Sequence, residues 1–242
     1  MSEQPHISTP NPKQTPQKNE NMLANLAFNI IIPVLLMSYA SKPEYLGPLW
    51  SIAVALAFPI SYGTYELVKS KKWNFFSILG IVSVLLTGTI SLLKLPAEYI
   101  AIKEAAIPGL IGIAVLVSRY MSKPLIKVLV LNDAIINWPA LDAALEKNNA
   151  TAAFEKKIDV SNYIVACSFF LSSALNYGLA KWILVSEPGT TAYTEELGRM
   201  TALSYPVIVL PSMILLLGAL FYIFSQMKKL TGEDVDAFMH GK

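Results

Sequence analysis

From Trp73 to Leu93 the chain reads WNFFSILGIVSVLLTGTISLL, a run without one ionisable side chain. In lipid such a run must satisfy its own backbone N–H and C=O groups. A helix of about 20 residues does so while crossing a hydrocarbon core of about 30 Å. The run does not alternate in polarity, as a barrel strand of about ten residues would. A second window, LGPLWSIAVALAFPISYGTY, precedes Glu66 and is equally free of charge. Composition agrees: 15% of the 242 residues are charged, against about a quarter in an average soluble domain. The expected fold is therefore all-α, a polytopic integral membrane helix bundle.

About six transmembrane helices are expected, over 22–40, 46–68, 74–94, 104–121, 160–184 and 201–227, within a spanning domain of 22–227. Prolines 33, 59, 206 and 211 fall inside these spans, where they kink helices and release carbonyls. Residues 1–21 are rich in Pro, Gln, Asn, Ser and Thr, with Ile7 as their one aliphatic residue. They cannot bury enough surface to offset the entropy of ordering, so a disordered tail is expected. The first apolar stretch follows some twenty polar residues, which is not the pattern of a cleaved secretory signal.

Between the fourth and fifth spans lies the only long connection, 122–159, read as short amphipathic helices on the membrane surface. Its KPLIKVLVL portion is basic and apolar, and Lys123 and Lys127 are the candidate contacts to anionic lipid. A second helix should begin at Asn137 or Trp138, because Pro139 suits a first turn and Asp142 complements the helix dipole. Leu141, Ala144 and Leu145 share its apolar face. With the N-terminus inside, 14 of the 19 basic residues fall on the cytoplasmic side. Both termini are therefore expected in the cytoplasm, with 228–242 as a short cytoplasmic tail.

Several chemistries are excluded. The two histidines, His6 and His240, lie in the tails, and Cys167 is the single cysteine. Neither a metal site nor a disulfide within the chain is expected. No GxSxG, HExxH or P-loop pattern occurs, and no aspartate falls within an expected span, so the chain is read as a non-enzyme without cofactors. A net charge of +2 with no basic run among exposed aromatics gives no reason to expect nucleic acid.

Function is then sought among polar groups in or beside the spans, where ionisable side chains are costly unless they reach water. Tyr62 and Glu66 share a face at the cytoplasmic end of the second span. Glu66 either meets the headgroups or turns inward, with Arg119 at the end of the fourth span as its expected partner. Lys103 and Glu104 mark the outer start of the fourth span; as neighbours in sequence they point apart on a helix and should neutralise each other poorly. Asn176 and Tyr177 sit in SSALNYGLAKW, where small residues let another helix approach and Asn176 can bond across the contact.

Lys103 with Pro108, Lys123-Pro124-Leu125-Ile126, Phe169-Phe170 and Leu175-Asn176 match, in type and order, short motifs of a known family. Over roughly 46–184 the chain resembles the bacterial intracellular septation protein A family, as a divergent or sister branch. It departs from that pattern in its polar N-terminal tail, its long connection after KPLI and the outer loop SEPGTTAYTEELGR. The resemblance implies a multi-pass bacterial inner-membrane protein that supports cell-envelope synthesis, maintenance or division through membrane partners or lipid. From the residues alone, the rival expectation is a small transporter or channel with a polar path between helices. The bilayer is the expected partner, with envelope or division proteins implied by the resemblance and a homo-oligomer left open.

Overall fold

The computed structural model describes residues 26–70, 75–120, 124–129, 131 and 135–239, without the side chains of 66, 67, 69, 70, 75–78, 128 and 129. The expected tail at 1–21 and Lys123 lie outside the described residues, as does the side chain of Glu66.

The first described element is a π-helical turn, α1 (Ala27–Ile31), that runs into α2 (Ile32–Tyr39). Then come α3 (Gly47–Ser70), α4 (Phe75–Leu92) and α5 (Ala97–Ser118). Two short helices, α6 (Leu125–Leu129) and α7 (Trp138–Lys147), lead to α8 (Thr151–Ile183). The last long helix begins as α9 (Thr191–Ser204) and widens into a π-helical turn at Tyr205–Val209. It continues as α10 (Leu210–Thr231), and a 3-10 turn, Val235–Phe238, follows. No strand forms among the described residues; Ile136 and Met239 make an isolated antiparallel bridge.

Among the described residues three helices are long and apolar enough to cross a membrane: Ala97–Ser118, Thr151–Ile183 and Thr191–Thr231. Each starts well before its expected span. Pro96 in extended conformation and Glu98 in the first turn start α5 at Ala97 rather than 104, as the missing proline N–H and the helix dipole favour. In α8 the buried stripe Phe154, Ile158, Ser161, Val165 has helical spacing, while Glu155, Lys156 and Lys157 take other faces and depress the local hydropathy. In α9, Thr190 caps the helix by accepting from the Tyr193 N–H at 3.1 Å. Much of the expected outer loop SEPGTTAYTEELGR is thus helical.

Prolines account for the two π-helical turns. Pro206 lies inside Tyr205–Val209 and Pro33 lies two residues beyond Ile31. A widened turn accommodates a ring that would otherwise press on the preceding carbonyl. Gly232, left-handed at φ +76°, ends α10, a conformation a side chain would strain.

Apolar side chains collect in two cores at opposite ends of the α5–α8 pair. One joins Met37, Ile52, Ile100, Ile183, Tyr193 and Leu197. The other joins Val115 and Ile126 to Leu141, Phe154, Met227 and Phe238. The second core gathers around the short helices expected on the membrane surface. Asn137 does cap α7, accepting from the Ala140 N–H at 3.2 Å, and Leu141 and Leu145 are buried. However, their partners are α8 and the C-terminal segment. Asn137 donates its N–H to the Phe238 carbonyl at 2.7 Å, and the Asn148 amide donates to the Thr231 carbonyl at 2.9 Å. The segment after α10, part of the expected cytoplasmic tail, packs against α7 and the chain before it as far as Met239.

The helices α5 and α8 run antiparallel with an ion pair at each end: Lys181–Glu98 at 2.9 Å and Arg119–Asp159 at 3.8 Å. Glu98 and Arg119 stand 21 residues apart, about 32 Å along a helix, close to the thickness of a hydrocarbon core. Exposed aromatics sit at the same two levels, with Tyr99 and Trp182 at one and Tyr120 and Tyr163 at the other. Between them Leu110, Ile113, Met213, Ile214 and Leu217 face outward. This is the distribution of an apolar belt between aromatic girdles.

Candidate polar site between three helices

Starting α5 at Ala97 moves Lys103 from a helix end to almost two turns inside. It lies five residues past Glu98, about 8 Å below that end pair, and its side chain is 8% exposed. An ammonium at such a position needs acceptors, and α4 supplies them. Ser83 and Thr87, four residues apart, share one face of that helix. The Lys103 Nζ reaches Thr87 Oγ1 at 2.7 Å, Ser83 Oγ at 3.2 Å and the Ser83 carbonyl at 3.4 Å. Its fourth acceptor is Glu104 Oε1 at 2.7 Å.

That last contact overturns the expectation that Lys103 and Glu104 neutralise each other poorly. Their Cα–Cβ bonds do diverge, but a four-carbon stem and a carboxylate on two methylenes can bend to meet. Burial against α4 makes the meeting favourable, because an unpaired charge there would be expensive. The ammonium has three hydrogens for four acceptors in reach, so it is saturated.

Glu104 is half-buried and also faces a cavity of about 340 Å³ between α4, α5 and α8. Its polar walls are Glu104, Ser83, Ser172 and Asn176; its apolar walls include Leu79, Ile107, Pro108 and Ile111. Asn176 is at the level of Lys103, five residues before Lys181 on α8. Its amide donates to the Ser172 carbonyl at 2.8 Å and to Ser172 Oγ at 3.4 Å. Pro108 has no N–H to return to the carbonyl of Glu104, which adds an acceptor to this level. The next residue of α8, Ser173, donates from Oγ to the Ala105 carbonyl at 2.7 Å. Gly109 and Gly112 permit that approach, since a Cβ on either would stand 3.1 Å from Ser173 Oγ or from the Phe170 ring.

The expected site residues thus divide. Lys103, Glu104 and Asn176 come together with Ser172 of the small-residue surface on α8, joined by Ser83 and Thr87 of α4, which sequence reasoning does not single out. Their signal was present as hydroxyls at i, i+4 spacing in an otherwise apolar span, but only helix rotation makes them face a lysine. Tyr62 stacks on Phe28, with ring centroids 5.7 Å apart. Tyr177 is exposed and does not line the cavity.

At the opposite end, Arg119 lies against Asp159 and over the Tyr163 ring at 5.0 Å; the side chain of Glu66, its expected partner, lies outside the described residues. Lys127, an expected lipid contact, pairs with Glu155 at 2.9 Å and lies over Trp138 beside the second core. Among the described residues no cluster of His, Cys, Asp or Glu could hold a metal ion.

Comparison with protein-family models, characterised proteins and solved structures returns no match.

Proposed function

We infer that the protein is a small membrane transporter or binding protein whose site is the cavity between α4, α5 and α8. One observation carries this reading: ionisable and polar groups from three helices meet on one cavity inside the apolar belt. Polar groups inside a membrane protein are retained at a cost and mark ligand or ion pathways. The location also fits, because pockets between helices with a few convergent polar groups are the usual form of a small-molecule site. In this reading α1–α2, α3 and α4 supply further crossings beside the three long helices, giving six, with both termini in the cytoplasm of a bacterial inner membrane.

The test is uptake and binding by the reconstituted full-length protein over a broad panel of metabolites and lipids, with Lys103→Met and Glu104→Gln beside wild type. Wild type should bind or move at least one compound, and both variants should weaken that activity by about ten-fold or more, as loss of a charged hydrogen bond implies. Inactivity of the wild type over the whole panel, with crosslinking to envelope-building proteins intact, would instead favour the partner-binding role implied by the septation-family resemblance.

A further inference from the structure

We propose that the cavity takes a single-chain amphiphile with a protonated primary amine as its head, admitted sideways from the bilayer. This rests on the cavity being the ligand site and adds what it selects. The first argument is an inventory of hydrogen-bonding capacity. Among the described residues the one cation at the site, Lys103, is saturated by Ser83, Thr87 and Glu104. The Asn176 amide hydrogens are directed at Ser172.

What stays open at the cavity is acceptor capacity: Glu104 Oε2, which takes no hydrogen bond among the described residues, and Asn176 Oδ1. The Ser172 and Ser83 hydroxyls serve either way. A carboxylate or phosphate head would meet an acidic oxygen with no uncommitted cation to offset it. A protonated amine supplies the three donors these acceptors lack, and its bond to Glu104 is charge-assisted.

The second argument is the distribution of polarity with depth. Glu104 and Asn176 lie nearest the Glu98–Lys181 end, while Ile107, Pro108 and Ile111 descend from Glu104 along α5, flanked by Leu79 on α4. The apolar wall therefore extends about 10 Å below the acceptors. A chain attached to the head would follow that wall, and the cavity is open, with exposed Gly80 of α4 on its rim. A small water-soluble amine would satisfy the acceptors and leave the apolar wall uncovered.

The experiment uses the full chain in phosphatidylcholine nanodiscs, labelled with a dodecylamine that carries a diazirine in its chain. Mass spectrometry maps the labelled residues while dodecylamine, dodecanoic acid or butylamine competes. Labelling should fall on Leu79, Ile107 and Ile111. Dodecylamine should compete at about ten-fold lower concentration than dodecanoic acid, and butylamine should not compete.

Glu104→Gln should reduce cavity labelling by about ten-fold. Ile111→Trp, which fills the apolar side without touching the Lys103 contacts, should abolish it even if the first variant folds poorly. Equal competition by dodecanoic acid overturns the amine head, and equal competition by butylamine overturns the amphiphile; either leaves the cavity as a ligand site. Labelling spread over Leu110, Ile113 and Met213 with none in the cavity overturns the proposal and removes the cavity as the ligand site.

Discussion

Replacing Lys103 by Met tests whether the contacts at the cavity act as one closed unit. The substitution preserves most of the side-chain volume and removes the ammonium, leaving Glu104 without its partner and the hydroxyls of Ser83 and Thr87 without their donor. Removing one member of a buried pair costs about 3–5 kcal/mol, because the remaining charge stays desolvated. Glu104 is 26% exposed, so the lower end, about 3 kcal/mol, applies. Glu104→Gln should cost less, about 1–2 kcal/mol, because Ser83 and Thr87 still receive the ammonium.

The double variant Lys103→Met/Glu104→Gln removes both charges and should be more stable than the sum of the two single losses implies, a favourable coupling of about 1–3 kcal/mol in a double-mutant cycle. Reversible unfolding of the full-length protein by sodium dodecyl sulfate in mixed micelles supplies the free energies. As a control, Glu98→Gln at the exposed end pair should be indistinguishable from wild type. The reasoning is refuted if Lys103→Met unfolds no more easily than Glu98→Gln, or if the double variant is merely additive.

Gly112→Ala should fail to give the gain of about 0.5–1 kcal/mol that alanine ordinarily has over glycine inside a helix in the same assay, because its Cβ would stand 3.1 Å from the Phe170 ring, and adding Phe170→Leu should restore that gain. Phe238→Ala empties a site 1% exposed in the second core and should cost about 3–5 kcal/mol. Limited proteolysis should then cut near 137–148 faster than in wild type, because the C-terminal segment no longer covers α7. Cys167 is exposed midway along α8, where lipid excludes both water and charged reagents. A charged maleimide should leave it unlabelled in intact membranes and label it after unfolding in detergent; rapid labelling of the native protein would contradict the membrane-spanning reading of α8.

The helical character, the apolar runs and the cap of α7 were legible because each depends on properties local to the chain. Transfer of apolar side chains adds up along a window, and Asn137 before Pro139 carries its own geometry. Hydropathy placed the helix starts poorly. The beginnings of α8 and α9 carry charges on faces turned away from the core, and a window average cannot tell those faces apart. Arg119 shows a second limit of local reading, since Asp159 lies far along the chain and meets it only when α5 and α8 pack together.

By itself the sequence determined a helical chain with segments long enough to cross a membrane, and it located the few polar residues at which that arrangement is costly. Only the tertiary structure decided their use. Whether Lys103 faces lipid, water or the hydroxyls of Ser83 and Thr87 depends on the rotation of α5 against α4. That rotation is set by packing along the whole α5–α8 interface, through Gly109, Gly112, Phe170 and Ser173. Pairing is a property of two surfaces in register, and such a register appears only when distant parts of the chain meet.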